Sequence, residues 1–326
     1  VSKIRIVRIA ALFVACVFLP ASPNARAQQS GWRSGTRSVV IDVLDVGQGD
    51  SILVRSPEGK TLLIDAGPTK DGALKVLKKK GIASIDLVAI SHHHSDHYGG
   101  MDQVIRAYKP RYFVASHSGH TTKLYLKLLQ TVEAQGMTAV QPTAKPRKIE
   151  LGSVELTIFP QPPEDKKEEN NNSIGMRLKY GTFAMLLTGD SEETERQWWL
   201  KHDPSLVRDC TILKLAHHGS HNGTDARWLR IVRPELAVAS LGKDNSYGHP
   251  HSETVSLLLD NQIPLLRTDQ LGTITIQSDG RDWSIVRPEL VRRGHPTQDD
   301  VDRVAATTVD EAPARTTRSR GTTRTR

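Results

Sequence analysis

The chain has 326 residues, 37% of them hydrophobic, a formal net charge of +8 and two cysteines, Cys16 and Cys210. That length admits one large domain with a sizeable core, and so few cysteines exclude a framework of structural disulfides. Both ends are rich in arginine, so the positive balance is only weak reason to expect an anionic partner.

At the amino end, Lys3, Arg5 and Arg8 precede a short apolar run over residues 9–19, then Pro20 and Ala25-Arg26-Ala27. A basic start, an apolar run too short to span a bilayer and a small-x-small site describe a secretory signal peptide over 1–27. The expectation is an exported protein, periplasmic or secreted, with an uncleaved membrane anchor as the alternative. A linker over 28–38 leads into one domain, residues 39–290. Its opening strands, 39–44, 51–55 and 61–65, are joined by short turns and form an antiparallel meander rather than a βαβ unit. A helix over 73–80 and a buried apolar strand over 85–90 follow. A second series is expected as strands 154–159, 173–178 and 183–188, a helix over 192–200, and strands 211–216, 236–240 and 272–276. Residues 166–172, charged and asparagine-rich, are placed in a surface loop. Two sheet-rich halves with intervening helices predict an α+β fold, a four-layer α/β/β/α sandwich. From 291 to 326 the chain is polar and rich in Arg and Thr, too poor in large apolar residues to order itself, and is read as a disordered tail.

The chemistry centres on His92-His93-His94-Ser95-Asp96-His97, directly after the strand 85–90. The three imidazoles at 92, 94 and 97 with the carboxylate at 96 are too polar to bury without partners, and their donor atoms suit Zn²⁺, Mn²⁺ or Fe²⁺. Alternation in a turn leaving a strand puts His92 and His94 toward one metal, with Asp96 and His97, around the bend, toward a second. Gly99-Gly100 lets the backbone fold tightly into the next helix. Further donors stand at strand ends: Asp190 in Leu187-Thr188-Gly189-Asp190, the pair His217-His218 before Gly219-Ser220, and His249 and His251 around Pro250. Ser220 lacks the Gly-x-Ser-x-Gly elbow of a serine nucleophile.

The run His92-x-His94-x-Asp96-His97 matches the HxHxDH pattern of the metallo-β-lactamase superfamily, and Leu62-Leu63-Ile64-Asp65-Ala66-Gly67 resembles its first motif. More narrowly, Asp45-Val46-Gly47-Gln48-Gly49-Asp50-Ser51, Asn171-Asn172-Ser173, the Asp190 and His217-His218 motifs and Tyr247-Gly248-His249-Pro250 are similar to the hydrolase domain of ComEC/Rec2 competence proteins, over about residues 39–286. The resemblance implies one or two divalent ions, Zn²⁺ or Mn²⁺. Asp190 would bridge them, with His92 and His94 on one and Asp96, His97 and His217 on the other. Where the superfamily has a further histidine upstream of Asp190, this chain has Asn171-Asn172-Ser173. Asn172, a water or His249 fills that place, or only one ion binds tightly. Between His217 and His218 the choice is open; His217 is taken as the ligand and His218 as a neighbour of the substrate. Asp65, and with it Asp50, would orient ligand histidines through hydrogen bonds.

The function so implied is hydrolysis by metal-activated water, with Asp96 or His218 handling the proton and His249 protonating the leaving oxygen. A phosphodiester, DNA included, is the first expectation for the substrate. Hydrolysis of small esters, lactones or β-lactams, and a non-catalytic metal- or DNA-binding accessory role, are the alternatives. Lys78, Lys79, Lys80 and Lys214 are the basic residues available to phosphates, although a lysine run on a helix is more often a solvated face. Beyond the signal segment no apolar run is long enough to span a bilayer, which excludes a membrane channel from this chain.

Overall fold

A computed structural model of the protein describes residues 37–286. The expected signal peptide, nearly all of the linker and the tail lie outside the described residues, as do residues 287–290. In chain order the elements are β1 (Val39–Val43), β2 (Ile52–Arg55), β3 (Thr61–Ile64), α1 (Gly72–Lys79), β4 (Leu87–Ala89), α2 (Ser95–Tyr98), α3 (Met101–Tyr108) and β5 (Tyr112–Val114). There follow α4 (Lys123–Ala134), β6 (Thr138–Val140), β7 (Arg147–Leu151), β8 (Val154–Ile158), β9 (Met176–Tyr180), β10 (Phe183–Leu187) and α5 (Glu193–His202). The domain closes with β11 (Ile212–Lys214), α6 (Ala226–Val232), β12 (Leu236–Ala239), α7 (Ser252–Asp260), β13 (Leu265–Arg267), α8 (Thr268–Leu271), β14 (Ile274–Ser278) and β15 (Trp283–Val286).

Strand alternation builds the layers. Along β1 to β3, Val39, Ile41, Val43, Ile52, Val54, Leu62 and Ile64 point to one face and meet Val154, Leu156, Ile158, Met176, Leu178 and Met185 of the facing sheet. Leu53, Leu63 and Val88 point the other way, onto Leu77, Met101, Val104 and Leu128 of α1, α3 and α4. The second sheet does the same, turning Ala184, Leu186, Leu213 and Ala237 outward onto Trp199, Trp228 and Val232 of α5 and α6. Strands covered on both faces read as continuous apolar runs, and each buried large aliphatic side chain contributes about 1.5–3 kcal/mol. The result is the expected four-layer α/β/β/α sandwich, with sheet orders β15-β14-β1-β2-β3-β4-β5-β6 and β13-β12-β11-β10-β9-β8-β7.

The opening meander is antiparallel, as the short turns predicted. Strands β3 to β6 then run parallel, as do β10 to β13. Parallel strands bring their carboxyl ends to one edge, and there the loops after β1, β3, β4, β10, β11 and β12 gather the polar residues of interest. Two expectations are corrected. The second strand of the second series begins at Met176 rather than Ser173. The stretch 166–172 ends in a 3₁₀ turn, Glu169–Asn172, whose Asn170, Asn171 and Asn172 are buried rather than on the surface.

Candidate metal centre

Strand β4 is buried throughout, and the chain leaves it through Ile90 and Ser91 into the histidine run. His94 keeps an extended backbone, φ −85 and ψ 143, and α2 begins at Ser95. The strand thus ends just ahead of the run and the helix begins inside it, and the chain bends so that Asp96 and His97 return to the space that His92 faces. The glycine turn after β1 supports this bend from below. Gly49 has φ +132, and a Cβ there would collide with the Asp96 carbonyl, which accepts from the Asp50 N–H at 3.3 Å.

The second sheet supplies Asp190 after β10 and His217-His218 after β11. Both histidines are left-handed, φ 49 and ψ 45 for His217, φ 56 and ψ 20 for His218, and Gly219 continues at φ +87. A non-glycine residue in that region costs about 1–2 kcal/mol, so two in succession are held there by their surroundings. One tie is visible: the His217 N–H donates to the Gly189 carbonyl at 3.2 Å, fastening this turn beside Asp190.

Asp96, His97, Asp190 and His218 bring one donor atom each within 4.8 Å of the others. His97 Nε2 is 3.2 Å from Asp190 Oδ1, and His218 Nε2 is 3.4 Å from Asp190 Oδ2 and 3.3 Å from Asp96 Oδ2. His92 Nε2 stands 4.0 Å from Asp190 Oδ2 and 3.0 Å from His94 Nδ1. His97 Nε2 and Asp190 Oδ1 are fully buried and make no hydrogen bond, in spite of their proximity. Buried polar atoms left in this way call for a partner, and a cation held between imidazole and carboxylate satisfies both. The donor set therefore fits one or two divalent ions.

Outer contacts fix each ring. Asp65 Oδ2 lies 2.9 Å from His97 Nδ1, and the Asp65 carboxylate also accepts from the Ser91 N–H at 2.7 Å and the Ser91 hydroxyl at 2.8 Å. His218 Nδ1 is 2.9 Å from the Ser240 carbonyl and 3.3 Å from Asp50 Oδ1. Asp50 Oδ2 is paired at 2.7 Å with Lys214 Nζ, both side chains being buried. Ser173 Oγ accepts from the Asp190 N–H at 3.2 Å. A carbonyl or carboxylate behind a ligand imidazole sets its tautomer and orientation.

Electrostatics point the same way. Burial opposes a charge on His97, but Asp190 and Asp65 outweigh it and lift its pKa well above 6.5. His218 is raised well above 6.5 for the same balance, burial against Asp190, Asp50 and Asp96. Asp190 is held well below 3.8, because His218 and His97 overcome its burial. His92 goes the other way, well below 6.5, through burial and the neighbouring His97. His249 is lowered to about 4 by burial and by His218 and His217. The centre thus attracts positive charge strongly while His92 and His249 keep their lone pairs.

A cavity of about 280 Å³ opens over this group, its wall including His94, Asp96, His217, His249, Gln48 and Tyr247. The adjacent histidines both line the cavity but lie at different depths. His218, expected beside the substrate, is buried in the cluster with 1% of its side chain exposed. His217, expected in that position, is on the cavity wall with 24% exposed. Asn172 is not available to a metal: its Oδ1 accepts from the Asp165 N–H, and its Nδ2 donates to the Asp165 carbonyl and to Glu169. Lys214, considered for phosphate contact, is consumed by Asp50. His93 turns aside, with Nδ1 2.9 Å from Glu169 Oε1 and its ring against Tyr125. Ser91, Ser173, Ser240 and Glu192 escaped sequence reasoning. Their only signal is that each sits within two residues of a strand end or of a candidate ligand.

The geometry defines a class. The superfamily profile "Metallo-beta-lactamase superfamily" matches residues 44–243, and the chain belongs to that superfamily, with the site of a metal-binding hydrolase. Among curated proteins it is 28% identical over 260 residues to "ComE operon protein 3" of Bacillus subtilis (74% of this chain, 33% of that protein). It is 31% identical over 239 residues to "Competence protein ComA" of Neisseria gonorrhoeae (72% of this chain, 31% of that protein). The chain spans about a third of the length of these relatives. Among solved structures, CmlA, a diiron β-hydroxylase from Streptomyces venezuelae, aligns with a TM-score of 0.52 at 14% identity, covering 75% of this chain and 55% of that one. That likeness is one of fold alone. Among the described residues no helix is long and apolar enough to cross a membrane.

Proposed function

We propose that the protein is a metal-dependent phosphodiesterase of the ComEC/Rec2-like branch, acting on DNA or a similar phosphodiester with Zn²⁺ or Mn²⁺. The lining of the cavity carries this reading. Its wall consists of imidazoles, carboxylates, Ser95, Gln48 and Tyr247, without an aliphatic side chain to hold an acyl group or a lactam scaffold. The relative whose name records competence, a resemblance over about a third of its length, supports the same substrate class.

Divalent ions, when bound, polarise a phosphoryl oxygen and lower the pKa of a water. The residues around them have separable tasks. Asp190, His97, His218 and Asp96 form the cluster that holds positive charge at and beneath the cavity, and His92 and His94 stand beside it. Asp96, whose side chain is 31% exposed, is placed to accept a proton from an attacking water. His249 is uncharged near neutrality, so it offers a hydrogen bond to the leaving oxygen rather than a proton held ready, which revises the role first expected of it. Export is supported by the basic and then apolar residues 3–19 and by Ala25-Arg26-Ala27. Recovery outside the cytoplasm of a chain beginning at Gln28 would agree, and a cytosolic chain with residues 1–27 intact would overturn it.

The test uses purified protein loaded with Mn²⁺ or Zn²⁺, presented in parallel with linear DNA, bis-p-nitrophenyl phosphate and a lactone. Metal-dependent cleavage of a phosphodiester that disappears in Asp96→Ala is the expected result. Turnover of the lactone with both phosphodiesters untouched would overturn the reading.

A further inference from the structure

The left-handed pair His217-His218 raises a question that a single ligand does not answer: only one of the two is needed to complete the buried cluster, yet both are held in a costly conformation. Four imidazoles around Asp190 share one arrangement. Each turns Nε2 inward to within 4.0 Å of the Asp190 carboxylate and sets Nδ1 against an oxygen. His92 does so at 4.0 Å with the Ser91 hydroxyl behind it at 3.1 Å, and His97 at 3.2 Å with Asp65 at 2.9 Å. His218 does so at 3.4 Å with the Ser240 carbonyl at 2.9 Å. His217 follows more loosely: its Nε2 is 3.9 Å from Asp190 Oδ2, and its Nδ1, which makes no hydrogen bond, stands 3.4 Å from Glu192 Oε1. A carboxylate behind the outer nitrogen is how a ligand imidazole is aimed. Glu192 is itself fixed, accepting from Asn170 Nδ2 at 2.9 Å.

We propose that the pair divides between two ions, His218 serving with Asp96, His97 and Asp190, and His217 serving with His92, His94 and Asp190. The inference rests on the reading of the site as a metal centre. It assigns the ligand that the His92–His94 half lacks, in the place first considered for Asn172. His92 Nε2 and His217 Nε2 lie at 4.0 and 3.9 Å from the same Asp190 oxygen, and donor atoms on one tetrahedral ion lie about 3.4 Å apart, so an ion beside that oxygen would have to draw both rings inward. The backbone tie from the His217 N–H to the Gly189 carbonyl holds the turn at that range.

The decisive variant is His217→Gly, because glycine accepts the left-handed backbone without strain. The metal-free variant is expected to melt at the same temperature as the parent protein or higher. Titration with Mn²⁺, followed by calorimetry and by electron paramagnetic resonance, reads the ions. The parent is expected to bind two that are magnetically coupled. His217→Gly should bind one with near-parental affinity, give the spectrum of an isolated ion and weaken the other site at least about tenfold. His249→Ala, on the same wall, should keep both. Two coupled ions of unchanged affinity in His217→Gly would overturn the assignment while leaving the metal centre standing, as would loss of an ion in His249→Ala but not in His217→Gly. A parent protein that binds one ion also overturns it. A parent that binds none removes the metal-centre reading itself.

Discussion

The two sheets furnish the site by different means. The first sheet delivers its donors in one continuous stretch, from His92 to His97, where a strand passes into a helix with an ordinary extended backbone at His94. The second delivers Asp190, His217 and His218 from two separate strands, and it holds the histidines in left-handed conformations clamped by neighbouring backbone. A relaxed loop can position donors along a line. A strained turn can spread two adjacent side chains apart, one to the floor and one to the wall. The difference locates the site's precision in the second sheet, with Asp190 as the residue that every inward nitrogen approaches.

Removing that residue should have the largest effect. Asp190→Asn is expected to lower hydrolytic kcat/KM by about a thousandfold and to abolish tight metal binding, whereas Asp102→Asn, a carboxylate on α3 beside the first sheet that is bonded to Arg106 and Thr131, should leave both intact. Equal effects of the two would erase the asymmetry. Next comes the tie between the sheets, the buried Asp50–Lys214 pair. Asp50→Ala strands an ammonium in the interior, and urea unfolding is expected to show a loss of about 3–5 kcal/mol. Asp50→Leu combined with Lys214→Met should recover most of it. A loss below about 1 kcal/mol in the single variant would show that the sheets do not depend on this pair.

A smaller effect is expected at Glu195 on α5, a fully buried residue whose pKa burial raises well above 4.5, with Ser173 and Arg196 offsetting only part. The folded state keeps a proton that the unfolded chain gives up above its own value of about 4.5, so stability falls as pH rises through that value toward the folded one. Glu195→Gln should flatten this dependence and gain about 1–3 kcal/mol near neutrality; a loss there would mean that the carboxyl is ionised and paired. The smallest effect is kinetic. Burial lifts the Cys210 thiol to about 11, so about one in a thousand is thiolate at about pH 8, and the Cys210 peptide should resist alkylation until the protein unfolds. Rapid labelling of the folded protein would contradict its place in the helix-covered core of the second sheet.

The first sheet's contribution was legible because its donors are contiguous and follow an apolar strand, so spacing alone brings His92, Asp96 and His97 together. The meander and the layer order followed from alternation and from strands apolar on both faces. The second sheet's contribution was legible only as isolated residues. Nothing in the letters His217-His218 states that both are left-handed, so which of them lies deeper is set by the backbone. Asn172 misled for a related reason: a polar run reads as solvated, but here Asp165 and Glu169 absorb its hydrogen bonds inside the fold. The Asp50–Lys214 pair joins residues far apart in sequence, which no local pattern announces. Short strands such as β5, β6 and β13, three residues each, carry too little alternation to be recognised by period.

The register of the first sheet also decides how the described domain is approached from outside. Val39, at the start of β1, pairs with Ser278, whereas Val286, at the end of β15, pairs with Thr275, the neighbour across β14 from Asp42. Strands β1 and β15 therefore point the same way, and the chain enters at the edge away from the site and leaves at the edge that carries it. The end of β15 therefore lies two strand spacings, about 10 Å, to the side of β1 along that edge.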